Sequence, residues 1–380
     1  MKLKRLLYFL VILLGCIPLN ILVLNGYASL NENNTSTKTI SLNQTLDKSI
    51  VDMAFSSDGK MIALGHYDYS ITILDASTNK LIKTIGYPKI YWSLQYNPVA
   101  FSPDGSVLAT GYEFKILLWN TTTWKNFKNL TLSDIDVKDI AFSSDGSKLI
   151  GVTEKLYSWD ISKDYALVPF GLICQCFQGA FTYDSSRIVT IGINGVEAMN
   201  AHVWNASTLE LITNYTEHTA SIRALAVSKM ENLVATSAWD NTTRVWNPVD
   251  GSTKNIIKNH FDYPYMLAID NNDKYIAFLG HNNIEIYSLE TNSTVGNITQ
   301  IEGGFSAVTT IQFHPSKEAL YIANENGNFQ VFTIPDLQEI KTFPFGNNNS
   351  TTKGTAIDTL GIYLGLIMLG VLYTKKRKKK

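Results

Sequence analysis

The sequence predicts an all-β chain: a seven-bladed β-propeller of four-stranded antiparallel blades, with an N-terminal signal segment and a C-terminal transmembrane helix. Three observations carry this expectation. A strand-and-turn phrase recurs seven times at a mean spacing of 43 residues. A second landmark, a large side chain followed by a short polar one, stays in phase with the first. Apolar runs flank the repeats at both ends, each next to a basic cluster.

The first landmark is an apolar strand ending in Phe and then a turn. It reads Phe55-Ser56-Ser57-Asp58-Gly59, and returns as Phe101-Ser102-Pro103-Asp104-Gly105 and Phe142-Ser143-Ser144-Asp145-Gly146. Degraded copies start at Phe181, Val227, Ile269 and Phe313, so successive spacings are 46, 41, 39, 46, 42 and 44. Asp-Gly between apolar runs has a physical reason: a tight hairpin needs backbone angles that Gly adopts freely and Asp tolerates. Each pair is expected to turn the first strand of a blade into the second.

The second landmark follows 17 to 23 residues later. It reads Leu74-Asp75, Trp119-Asn120, Trp159-Asp160, Trp204-Asn205, Trp246-Asn247, Tyr287-Ser288 and Phe332-Thr333. With one Trp-Asp and three Trp-Asn in phase, the repeat resembles the WD-repeat family over roughly residues 37 to 345. The resemblance implies that the large residue, in the third strand, packs between neighbouring blades. It also implies a structural hydrogen-bonded set in blade 5, formed by His218, Thr236, Asp240 and Trp246. No other blade carries the full set: His281 stands in place of Asp beside His260, and Asp68 goes with Leu74. For ring closure two segments compete for the outer strand of blade 7, Thr37 to Leu42 and Gln338 to Phe343.

The ends read as membrane signals. Lys2, Lys4 and Arg5 precede an apolar run from Leu6 to Leu24, and small residues at Gly26 and Ala28 suit cleavage near Ala28. An uncleaved anchor and lipid attachment at Cys16 are alternatives. Thr355 to Tyr373 is long enough to span a bilayer as a helix, and the run Lys375 to Lys380 marks its cytoplasmic side. Gly361 and Gly365 form a GxxxG, more simply read as helix filler. The organisation is therefore 1–28 signal, 29–36 polar leader, 37–345 propeller, 346–354 polar linker, 355–373 transmembrane helix and 374–380 cytoplasmic tail. Twelve Asn-x-Ser/Thr acceptors, about twice the chance number, fit export: Asn33, Asn34, Asn43, Asn120, Asn129, Asn205, Asn214, Asn241, Asn292, Asn297, Asn348 and Asn349. The competing explanation is an Asn- and Thr-rich composition, so the count does not establish glycan occupancy.

The net charge of −1 conceals a segregation, since the region between the two ends holds 22 basic and 32 acidic residues. An excess of about ten negative charges repels phosphate backbones and argues against nucleic acid. The six histidines include no pair at metal-ligand spacing, and neither a nucleophile elbow nor a phosphate-cradling loop occurs. No catalytic, cofactor or metal residue is expected. Cys174 and Cys176 point to one face of an extended strand, as two small buried residues, a disulfide or a metal pair.

Binding is the expected activity. In WD-type propellers two sets of loops meet on one face around the central channel. Repeat phase assigns to it Tyr67, Asp68, Tyr69, Tyr91, Trp92, Tyr112, Glu113, Phe114, Trp239, Asp262, Tyr263 and Tyr265. Aromatics among acids suit a protein or glycan surface. The longest gap between landmarks marks Gly192 to Asn200 as an enlarged loop. The sequence is thus read as a cell-surface module that binds an extracellular protein or glycan and sits in the lipid bilayer. A surface-layer component and a propeller enzyme acting on surface polymers are the alternatives.

Overall fold

A computed structural model describes residues 49–87, 96–133, 136–168, 175–192, 198–258, 265–280 and 282–344. Twenty-eight strands form seven four-stranded antiparallel sheets, each from four consecutive strands. The blades occupy residues 50–85, 99–131, 139–167, 176–215, 222–258, 266–298 and 308–344. The chain is an all-β seven-bladed propeller. The segments read as a signal (1–28) and as a transmembrane helix (355–373) lie outside the described residues, as does Thr37 to Leu42. Glu339–Pro344 fills the outer slot of blade 7 by pairing with Asn328–Thr333.

The ring follows from which strands touch. The first strand of each blade contacts the first strand of the next, and Ile50–Phe55 of blade 1 contacts Val308–Phe313 of blade 7. The innermost strands therefore circle a central channel. Among the described residues the core is divided into seven apolar clusters, one at each seam between neighbouring blades. The second-landmark side chains all join the seam with the preceding blade, from Leu74 at the seam of blades 7 and 1 to Phe332 at that of blades 6 and 7. Burying one such side chain contributes about 1.5–3 kcal/mol, so the landmark marks where blades adhere.

The Asp-Gly turns form as their chemistry requires. Gly59, Gly105 and Gly146 take φ of 67°, 70° and 69°. The Ser after each Phe is the hub. Ser56, Ser102 and Ser143 donate to Asp58, Asp104 and Asp145 at 2.7, 2.6 and 2.6 Å, and each accepts a backbone N–H five residues later. The short residue of the second landmark caps the turn into the outer strand. Asp75 accepts the N–H groups of Ser77 and Thr78, Asn120 those of Thr122 and Thr123, and Asn205 those of Ser207 and Thr208.

Each outer strand except that of blade 3 carries a β-bulge opposite the second landmark. The extra residue is Ile82, Phe127, Ile212, Lys254, Val295 or Ile340. A bulge increases twist and blunts an open sheet edge. The five apolar ones are exposed on the rim.

Candidate functional site

The blade 5 residues meet as a continuous chain of hydrogen bonds. Trp246 Nε1 donates to Thr236 Oγ1 at 3.2 Å, and His218 Nε2 lies 2.9 Å from that hydroxyl. His218 Nδ1 stands 2.8 Å from Asp240 Oδ2, which also accepts the Thr219 N–H. A carboxylate only accepts, so Nδ1 carries the proton and Thr236 donates to Nε2. Burial pushes the Asp240 carboxyl up, but the bonds from His218, Thr242 and Thr219 outweigh it and hold the group well below the usual range. The Trp-to-Thr bond recurs in blade 2 (Trp119 to Thr110, 3.1 Å) and blade 4 (Trp204 to Thr190, 2.8 Å). This is stability chemistry: every member is occupied by another.

The loop-face candidates divide. Tyr67 and Phe114 are exposed, each at 38%. Tyr69, at 5% exposure, packs edge-on against Tyr112, which stacks on Tyr87 at 4.5 Å. These rings belong to the seam of blades 1 and 2. Asp68 accepts from Ser70 inside its own turn, and Glu113 takes a positive φ of 52° in the next blade's turn. Trp239 and Tyr265 are half-buried. Tyr91, Trp92, Asp262 and Tyr263 lie outside the described residues, as do 193–197 of the enlarged loop.

Two residues not expected from the sequence complete a cluster at the loop-side channel mouth. The Arg223 guanidinium lies 4.7 Å from the Trp239 ring and 5.6 Å from the Phe177 ring. Phe177 and Arg223 each stand four residues before the first landmark, in blades 4 and 5. Lys138 holds that position in blade 3 and Tyr265 in blade 6. Phe177 and Arg223 are also the extra residues of bulges in their inner strands. The bulge breaks strict alternation, so counting inward and outward positions misses them, whereas counting back from the landmark finds them.

Inner strands are tied to one another by side chains. Asp52 accepts from Met53 and from Val99 of blade 2; Asp139 accepts from Ile140 and from Gly179 of blade 4. The Gln178 amide bonds both N and O of Leu225 in blade 5. Gln312 donates to the Met53 carbonyl, joining blade 7 to blade 1.

His66 pairs with Thr72 at 2.8 Å, and His202 with Asn214 Oδ1 at 2.8 Å. His314 packs against Phe55 and Tyr321. His260 and His281 lie outside the described residues. Cys176 is disulfide-bonded, and its partner is not among the described residues; Cys174 lies outside them. Among the described residues no group of three His, Cys, Asp or Glu could hold a metal. Of the acceptor asparagines, Asn129, Asn214, Asn241, Asn292 and Asn297 are exposed, and Asn120 and Asn205 cap turns; Asn33, Asn34, Asn43, Asn348 and Asn349 lie outside the description.

A seven-bladed ring with these turns and this hydrogen-bonded set is similar to the WD40-repeat β-propellers. The WD domain, G-beta repeat family matches residues 92–120 and 209–247. The Periodic tryptophan protein 2 homolog of Dictyostelium discoideum is 23% identical over 281 residues, covering 68% of this chain and 30% of that protein. The Target of rapamycin complex subunit LST8 of Saccharomyces cerevisiae is 24% identical over 105 residues, 28% of this chain and 34% of its own. The match thus spans about a third of these relatives. The β-propeller domain of Myceliophteria thermophila Cps50 (Swd1) superposes with a TM-score of 0.65 at 14% identity, covering 75% of this chain and 97% of that one.

These relatives overturn the cell-surface reading. They include a subunit of the Target of rapamycin complex and a p21-activated protein kinase-interacting protein 1-like protein of Xenopus laevis, and none of those named here is described as a surface module. Among the described residues no helix is long and apolar enough to cross a membrane. The extracellular protein or glycan partner, the bilayer partner and the single-pass cell-membrane placement are corrected with it. One physical source of the misreading is the repeat. Asn120 and Asn205 sit before Ser or Thr because an amide carbonyl there caps the turn, which yields acceptor sequences without any need for export.

Proposed function

We propose that this protein is a non-catalytic scaffold that docks a partner protein at the loop-side mouth of its channel. The observation that carries the reading is the Arg223 guanidinium held between the rings of Phe177 and Trp239. Arg, Trp and Tyr dominate interface energetics because they offer area and directional bonds at low entropic cost. An Arg fixed between aromatic faces has given up its rotamer freedom before a partner arrives. Tyr265 holds the same repeat position in blade 6, whose inner strand lies beside that of blade 5, and adds a further aromatic to this surface. The printed names of a complex subunit and a kinase-interacting protein among the relatives support a role within protein assemblies.

The test compares the full chain with Arg223→Ala and Trp239→Ala in quantitative affinity purification from the source cells. A partner retained stoichiometrically by wild type should be lost at least tenfold by both variants, or about 1.4 kcal/mol. Thermal midpoints show that the ring stays folded. A rim variant, Ile256→Ser, should keep the partner. Retention by Arg223→Ala and loss by Ile256→Ser would move the interface to the rim.

A further inference from the structure

We propose that the turn side of blades 4 and 5 is a second docking surface, seating a Lys- or Arg-bearing segment of a partner protein on Tyr183, Met230 and Val249. Antiparallel order puts both landmark turns of every blade at one end, away from the loop-side mouth. Among the described residues, these three are the large apolar side chains exposed there, at 48, 58 and 49%. The ring supplies its own control, because seven blades use each turn position. Where Met230 stands, the other blades hold Asp58, Asp104, Asp145, Asp184, Asn272 and Ser316. Tyr183 takes a place held elsewhere by Ser, Pro, Lys or Asn, and Val249 one held by Ser, Thr, Glu or Pro. The fold therefore does not ask for a large apolar residue at any of the three positions, and it leaves all three facing water.

Their backbones are fixed before any partner arrives. In blades 1 to 4 the hydroxyl after the landmark residue donates to the acid of its own turn, the last case being Thr182 to Asp184 at 2.7 Å. Blade 5 departs. Ser228 donates instead to Asp273 of blade 6, which also accepts the N–H groups of Lys229 and Met230 at 3.2 Å each. The neighbouring blade thus supplies the turn acid, and Met230 is released from that duty. On the other flank the Asn232 amide donates to Asp184 Oδ2 at 3.0 Å and accepts the Asp184 N–H at 3.2 Å, which joins the turns of Tyr183 and Met230. Val249 follows in the second turn of blade 5. In the other six blades the residue before this position donates its N–H to the first turn of the same blade; Pro248 has none to give. Apolar side chains on turns tied in this way lose little freedom on binding.

Charge selects the occupant. The carboxylates that adjoin the patch in the chain are Asp184 and Asp250, both exposed. Burial pushes Asp184 up, but the bonds from Thr182, Ser186 and Asn232 outweigh it; at Asp250 the bonds from Ser252 pull down, so both stay ionised. Glu231 holds Lys254 at 3.1 Å. Arg187 and Lys229 are the opposing cations of the two first turns, and the charge of Asp273 acts on Lys229. With 32 acids against 22 bases between the two ends, the surroundings repel a second copy of this face, an anionic lipid surface and nucleic acid alike. A basic segment with an apolar anchor is the complement, and the flexible Met230 side chain can shape itself to that anchor.

The test replaces each side chain by one that another blade uses at the same position: Tyr183→Ser, Met230→Asn and Val249→Ser, singly and together, in the full chain. The variants should keep the thermal midpoint of wild type, since the ring already folds on those residues elsewhere. The probe is a displayed library of short random peptides, selected on wild type and counter-selected on the triple variant. Survivors should carry net positive charge with an aromatic or aliphatic residue among the cations. One of them, resynthesised, should bind Met230→Asn about tenfold more weakly than wild type and weaken with added salt. It should bind Arg223→Ala as it binds wild type, which separates this surface from the loop-side mouth. No survivors, survivors of neutral or acidic composition, or binding lost by Arg223→Ala and kept by Met230→Asn would overturn the proposal. So would a wild type that dimerises in sedimentation where Met230→Asn stays monomeric. Should the triple variant fail to fold, a peptide selected on wild type and carrying a photoreactive group decides. Label on the turns of Tyr183, Met230 or Val249 supports the surface, and label elsewhere overturns it.

Discussion

Thr236 is the residue on which the blade 5 set turns, because its one hydroxyl serves two buried partners. It accepts from Trp246 Nε1 and donates to His218 Nε2, and both of those groups are enclosed. Thr236→Val keeps the shape and strands both atoms, so it should cost about 2 kcal/mol, read as a lower urea midpoint at unchanged slope. Asp240 gives the same set a pH limb. Its carboxyl is depressed in the folded protein, so its stabilisation is complete above the ordinary carboxylate range and is lost as pH falls below about 4. Asp240→Asn should remove that acid limb from a plot of midpoint against pH. If the acid limb survives in the variant, the carboxyl is not its source.

Among elements, the first-landmark turn separates two costs that a glycine substitution usually confounds. Gly59 and Gly105 share the same positive φ, yet a Cβ at Gly59 would lie 2.6 Å from His314 Cε1, while one at Gly105 meets nothing within 4 Å. Gly105→Ala should therefore cost only the backbone term, about 1–2 kcal/mol. Gly59→Ala should cost clearly more, because the His314 ring would have to leave its place against Phe55. Equal urea midpoints for the two would show that the ring moves freely. Such turns were legible where Gly marked them and faint where it did not. In blades 4 and 6 the same left-handed position is held by Ser185 and Asp273, with φ of 58° and 54°, and no glycine announces it. The outer-strand bulges were not legible at all, since they arise from sheet twist opposite a large side chain rather than from any residue type. Phe177 and Arg223 escaped for another reason: candidates were taken from the loops by repeat phase, whereas both are bulge residues inside inner strands. Tyr69 failed in the other direction, a loop aromatic by phase that packing against Tyr112 takes inside.

For the molecule as a whole, the blade count was readable because a period is a property of the chain, whereas closure is a property of two distant ends. Six seams join blades that are consecutive in the chain. The seventh, between blades 7 and 1, is held by packing and by links such as Gln312 to Met53, 259 positions apart. Breaking a consecutive seam leaves the blades tethered by a short connection, so re-docking costs little entropy; breaking the closing seam releases two ends. Comparable cuts should therefore have unequal effects. Phe55, at the closing seam, and Phe142, at the seam of blades 2 and 3, are both half-buried residues of the same landmark. Each Phe→Ala change loses a similar transfer term of about 2–3 kcal/mol. Phe55→Ala should nevertheless lower the urea midpoint further. It should also open Ile50–Phe55 and Val308–Phe313 first in native-state hydrogen exchange, as expected of a ring turned into an arc with fraying ends. Equal midpoints together with uniform exchange in both variants would mean that the closing seam is no weaker than the rest. The ring would then owe its cooperativity to the seams alone and not to the path of the chain.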